Sequence, residues 1–213
     1  MRLIILVACF VIVAPGSPAA QVKMDDALAH DTRANDLSKG GDLDGAIAEF
    51  REALRLNPNF SEAHNSLGSV LGSKGDLGGA VTEFREALRL MPDNHVARFN
   101  LGIALSSKGD LDGAIAEYRE TLRQMPGNQR AHANLGIALS SKGNLDGAVA
   151  EFREASRLSP DDPVAHDNLA IALNTKGDVD GAIAEYREAL HLKPNDPIAH
   201  DNLGLALGRK GGR

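Results

Sequence analysis

Three sets of side chains have types and spacing that could do chemistry. The first is a row of imidazoles, His30, His64, His132, His166 and His200, with Arg98 in the corresponding place between His64 and His132. Imidazoles bind metals or relay protons, but metal ligands must lie about 2 Å from one ion. Equivalent residues on packed neighbouring helices stand about 8–10 Å apart. The row therefore reads as a half-buried packing position. The second set is Glu49, Arg51, Glu52 and Arg55 with their later copies. Paired carboxylates do acid–base work where a dry pocket separates their pKa values. The pattern puts these on a solvated helix back, where pairs such as Glu52–Arg55 add about 0.2–0.5 kcal/mol.

The third set is Asn100, Asn134, Asn168 and Asn202, with Ser66 and the adjacent Asn65 in an earlier copy and Thr32 before that. An amide offers donors and an acceptor together, so a row of them can pair with the backbone of an extended peptide; the alternative is that each simply faces water or caps a local backbone group. Rungs about 10 Å apart match about three residues of extended chain at about 3.3 Å each. Ile103, Ile137, Ile171 and Leu205 follow three residues later, which makes them neighbours on a helix. They are either apolar anchors beside the amides or ordinary core. The sequence holds no Ser-His-Asp arrangement on a strained turn, no phosphate loop and no strand to carry either. The expectation is a non-enzyme with no catalytic residue, no metal and no cofactor.

These rows exist because the chain repeats. The segment Lys108–Glu120, KGDLDGAIAEYRE, has near-copies at Gly40–Glu52, Lys74–Glu86, Lys142–Glu154 and Lys176–Glu188, and Pro58, Pro92, Pro126, Pro160 and Pro194 are each 34 residues apart. A period of this length fixes the architecture before any other reading. The units fall at 27–60, 61–94, 95–128, 129–162 and 163–196, with a half unit or capping helix at 197–213. Each unit reads as two helices. In one copy the first helix reads Asn134–Ser141, with Leu135, Ala138 and Leu139 as its buried face, and the second Leu145–Leu158, with Leu145, Ala148, Val149, Phe152, Ala155 and Leu158. Gly143 and its equivalents supply the left-handed residue between them. Asp42, Asp76, Asp110, Asn144 and Asp178 are placed to cap the second helix. Gly45, Gly79, Gly113, Gly147 and Gly181 run against helix propensity, at a cost of about 0.5–1 kcal/mol each, and imply close packing there.

The pattern Leu135-Gly136-x-x-Leu139, Gly143, Ala148, Phe152, Ala155, Pro160 resembles the tetratricopeptide repeat, and the resemblance covers residues 27–213. It implies an all-α fold, a right-handed superhelical solenoid of helix-turn-helix units. The repeats look most like the O-GlcNAc-transferase type of array, in which an asparagine ladder in the concave groove holds extended peptide. The departures are His or Arg where the family often has a bulky aromatic, and a first unit whose Arg33 and Asp36 suit an exposed cap. The family's carboxylate-clamp members grip acidic tails with Lys and Arg. The corresponding positions here are mostly Val96, Ala133, Val164 and Asp167, leaving Arg130 as the one candidate cation or groove anchor, so an acidic-tail receptor is disfavoured.

Composition sets the remaining bounds. A net charge of −6 and the lack of a basic stripe argue against nucleic acid. With 4% aromatic residues and no tryptophan the core must be layers of Ala, Leu, Ile and Val. Residues 1–19 read as a signal peptide: Arg2, an apolar run Leu3–Ala14, a Pro-Gly-Ser-Pro break and Ser17-x-Ala19 as the cleavage motif. An exported protein, periplasmic or secreted, is expected, ahead of an uncleaved anchor or a lipoprotein lipidated at Cys9, the only cysteine. Residues 20–26 are expected to form a flexible tail. The expected partner is a protein or peptide rather than a small molecule, with self-association through the C-terminal helix as a further option. The competing roles are a scaffold for an envelope assembly and a substrate-binding partner of a separate glycosyltransferase chain.

Overall fold

The computed structural model describes residues 18–212. The apolar run Leu3–Ala14, with Cys9 in it, and Ser17 of the expected cleavage motif lie outside them. Eleven helices follow one another: α1 Pro18–Lys39, α2 Leu43–Leu56, α3 Ser61–Ser73, α4 Leu77–Leu90, α5 His95–Ser107, α6 Leu111–Gln124, α7 Gln129–Ser141, α8 Leu145–Leu158, α9 Pro163–Lys176, α10 Val179–Leu192 and α11 Pro197–Gly211. None of the described helices is long and apolar enough to cross a membrane. Each odd-numbered helix packs on the even one after it, and the pairs stack in order. Odd helices also touch one another along the array, whereas even helices do not. The odd helices therefore form the inner wall and the even ones the outer.

Local chemistry explains each boundary. Gly41, Gly75, Gly109, Gly143 and Gly177 all have φ between 79° and 97°, the left-handed turn that glycine adopts without strain. The next residue then caps the even helix: Asp110, for example, accepts from the Gly113 backbone N–H at 3.0 Å. A Cβ on Gly113 would sit 2.7 Å from that carboxylate. The glycine thus leaves room for the cap bond itself, a tighter reason than general packing. Asp162 and Asp196 cap α9 and α11 just before a proline, which suits the first helical position. Gly211 keeps the 34-residue interval but lies within α11, without a left-handed turn.

Two boundaries differ from expectation. Residues 20–26 belong to α1 instead of a flexible tail. Residues 21–26 are all exposed, so no packing pattern announced them; helix-forming residues extend the helix, and Gln21 Nε2 donates to Asp25 one turn on at 2.9 Å. The first helix of the fourth unit begins at Gln129, capped by Asn128, ahead of the apolar run that marked it.

The core is close-packed through small residues. Phe84, Tyr118 and Phe152 lay their rings against the backbone of Gly68, Gly102 and Gly136, where an added Cβ would come within 2.6–2.8 Å of a ring carbon. Ala170 takes this place in the fifth unit. Gly204 on α11 has open space there. Ala206 is fully buried and Leu203 packs against the core, but Ile198, Leu205 and Leu207 are 68%, 67% and 43% exposed. A Gly136→Ala variant should lose about 1–3 kcal/mol to overpacking, whereas Gly204→Ala should be neutral or gain up to about 1 kcal/mol of helix propensity. Urea unfolding of the two variants checks the contrast.

Candidate functional site

The histidine row is a structural device that sequence reasoning resolved only as packing. Nδ1 of His64, His132 and His166 lies 2.6–2.7 Å from the carboxylates of Glu83, Glu151 and Glu185 on the following even helix. Nε2 of the same rings lies 2.9–3.1 Å from the carbonyls of Pro58, Pro126 and Pro160. Each ring thus joins its own pair to the loop of the preceding one. Arg98 makes the same two bonds, to Glu117 at 3.1 Å and to the Pro92 carbonyl at 2.7 Å. His30 keeps only the carboxylate contact and His200 only the carbonyl. Glu49 and its copies are therefore not on the solvated back of the helix as predicted; they face the odd helix and meet an imidazole or, at Glu117, a guanidinium. Glu52–Arg55 and its copies do form exposed pairs, with Arg55 Nη2 2.7 Å from Glu52. Among the described residues no cluster of His, Cys, Asp or Glu has the arrangement of a metal site.

The asparagine row lies on the inner wall, half-buried on α5, α7, α9 and α11. Asn100 Nδ2 donates to Asn65 Oδ1 on α3 at 3.2 Å, so these two amides form one link between neighbouring helices. Among the described residues, no hydrogen bond engages the side chains of Asn134, Asn168 or Asn202. Ser66 is half-buried on α3. Asn168 lines a hollow of about 160 Å³ together with Ile137 and Ile171, which are 47% and 45% exposed. The structure thus brings Asn168, Ile137 and Ile171 together there. Ile103 instead is partly buried against the core, while lining the hollow that holds Asn100. Leu205 is exposed at the end of the wall. Arg130 rests over the Phe99 ring, 5.2 Å from its centroid, and Phe99 in turn meets Tyr118 at 5.9 Å.

A tetratricopeptide repeat model matches residues 32–95, 72–129 and 99–163, and a further TPR repeat model matches 172–211. The chain is a member of the tetratricopeptide repeat family. Among curated proteins, none matches the sequence significantly. Similar solved structures include YrrB, described as a TPR protein with an unusual peptide-binding site, at 23% identity over 86% of this chain and 94% of that one, with a TM-score of 0.74. MamA from Desulfovibrio magneticus RS-1 shares 22% identity over 81% and 98%, with a TM-score of 0.77. PilF of Pseudomonas aeruginosa shares 18% over 87% and 90%, with a TM-score of 0.72. At these identities the likeness concerns the fold of the tetratricopeptide array.

The electrostatics of the array separate into two regimes. On the side of the clasps, burial opposes the charge of His64, but the bonds to Glu83 and the Pro58 carbonyl outweigh it and raise its pKa above 6.5. His166 behaves alike: burial lowers, Glu185 and the Pro160 carbonyl raise, and the net shift is upward. On the inner wall, burial raises the carboxyl of Asp31, and the Glu62 charge adds to it. Asp167 is raised by burial and then by Asp196. The Oδ1 atoms of Asp31 and Asp167 are buried without a hydrogen-bond partner.

A raised histidine pKa has a definite sign. The stabilisation is fully present below the unfolded value of 6.5 and is lost as pH climbs through the folded pKa. The urea midpoint should therefore fall between about pH 6 and about pH 8. In a His64→Arg/His166→Arg double variant, which copies the clasp of Arg98, that slope should shrink. Equal slopes in the two proteins would remove this account of the clasps.

Proposed function

We propose that this tetratricopeptide array is a protein-interaction module that holds an extended segment of another protein against its inner wall. The carrying observation is the hollow in which the unengaged amide of Asn168 stands between the exposed Ile137 and Ile171 on two successive inner helices. A donor–acceptor pair beside apolar surface suits a peptide, which offers both along its backbone. The repetition of the amide on α7, α9 and α11 allows about one rung per three peptide residues. YrrB, which has a similar fold, is described as having a peptide-binding site. The mechanism is capture in a preformed groove, and no step of bond making is involved. With its apolar leader, the protein would work as an exported module in the periplasm or outside the cell.

Replacing Asn100, Asn134, Asn168 and Asn202 together by Ala should abolish partner capture, read by crosslinking pull-down from an envelope fraction. The helical circular dichroism should stay unchanged. Capture equal to that of the native array would dismiss the groove and favour docking through another surface.

A second surface has its own observation. On α11 the exposed Ile198, Leu205 and Leu207, and the open space over Gly204, leave apolar area uncovered. This supports self-association, or scaffolding, through that helix. Light scattering across a concentration series should show a mass increase that a Leu205→Glu/Leu207→Glu variant suppresses, and a constant monomer mass would rule the surface out.

A further inference from the structure

The inner wall is uneven along its length. Between α3 and α5 it opens into a hollow of about 290 Å³, against about 160 Å³ at the equivalent place between α7 and α9. Two small residues account for the difference. Ser69 stands where later inner helices carry Ile103, Ile137 and Ile171, and Gly72 stands where they carry Ser106, Ser140 and Asn174. The floor is Leu77, Phe84 and Ile103; the rim is the hydroxyls of Ser73 and Ser107 with the Asn100 amide. A cavity of about 150 Å³ with an aliphatic and aromatic lining already admits benzene. This one is larger, and the Asn100 oxygen and the Ser107 hydroxyl are what its rim offers a backbone, since Ser73 Oγ donates to the Ser69 carbonyl and Asn100 Nδ2 to Asn65.

Toward the N-terminus the wall beside it is acidic. One repeat toward the N-terminus, Asp31 on α1 and Glu62 on α3 interact with like charge, and an oxygen of Asp31 is buried without a partner. The same two repeat positions one unit pair further along hold Asn65 and Val96, and then Phe99 and Arg130, where a cation covers a ring. At α1 and α3 both positions are acidic, so an incoming cation would meet two carboxylates at once. The complement of this wall is therefore a basic segment with an apolar side chain.

We propose that the hollow between α3 and α5 is a side-chain specificity subsite. It takes a leucine- or phenylalanine-sized residue of an extended peptide that carries lysine or arginine about four positions away, over Asp31 and Glu62. These two lie about 10 Å across and about 10 Å along the helices from it. The inference rests on the groove reading and adds selectivity to it. Main-chain bonding to the amides would hold any sequence, and this subsite would fix the register in which it is held. Desolvating one such side chain corresponds to about tenfold or more in affinity.

The test is an NMR titration of the 15N-labelled array with a blocked alanine undecapeptide that has one central leucine and a lysine four residues to either side. Amides of Ser69, Gly72 and Asn100 should shift. Affinity should fall about tenfold when leucine becomes serine, when both lysines become glutamate, and in the Ser69→Ile variant. That variant fills the hollow with the residue later repeats carry, and its melting temperature should be unchanged. No shifts at millimolar peptide, or equal affinity for the leucine and serine peptides, would overturn the subsite. So would binding of N-acetyl-leucine amide as tight as that of the peptide, which would mark a small-molecule pocket. If Ser69→Ile has no effect while the four Asn→Ala replacements abolish binding, the subsite falls and the groove stands. If neither changes binding, both fall.

Discussion

Phe84, Tyr118 and Phe152 lie on the bare backbone of Gly68, Gly102 and Gly136, and the architecture follows from that contact. A helix pair of this size cannot bury its own apolar face, so it is stable only with neighbours stacked on both sides. In three of the five units the absence of a Cβ lets the two helices of a pair close on a ring, and the first and fifth units have Ala34 and Ala170 there. The inner helix then faces the next inner helix with small residues such as Ala104 and Ala138, both buried. Close approach in the pair and between pairs brings the Asn and Ile rows into one wall. A bulkier side chain at the glycine would move the wall as well as the core.

Polar contacts bind one pair to the next. The clasps formed by His64, Arg98, His132 and His166 tie a carboxylate of their own pair to a proline carbonyl of the preceding loop. The loop carbonyl would otherwise be left with water, and an unpaired polar group in a half-buried seam is costly. Further out, Lys74–Asp44, Lys142–Asp112, Lys176–Asp146 and Lys210–Asp180 link successive units. Being exposed, each contributes at most about 1 kcal/mol.

Much of this was legible in the sequence because it is local. Turn glycines, the caps Asp42 to Asp178 and the period-matched faces involve residues within four positions of each other, and the repetition multiplies each signal. The clasps were not legible from one unit, since nineteen residues separate His64 from Glu83 and only the helix-pair register brings them together. A cue was present: Arg replaces His at position 98 while the glutamate is kept at 117. Residues 21–26 gave no signal because exposed helix has no buried face to imprint. Of the candidate site, the Asn row was visible as a period. The bond between Asn100 and Asn65 and the seating of Arg130 on Phe99 were not, because both cross between units.

One seam differs from the rest. Gly78 occupies the place that Asp44, Asp112, Asp146 and Asp180 hold in other units, so no carboxylate faces Lys108 across the second and third repeats. The hollow of about 290 Å³ on the inner wall lies in this same seam, and its clasp is the permanently charged Arg98. This seam therefore has one inter-unit lysine–aspartate contact fewer than its neighbours. Its clasp is a guanidinium, whose charge does not change with pH in the working range, so the seam with the fewest struts is also the one whose clasp is insensitive to protons.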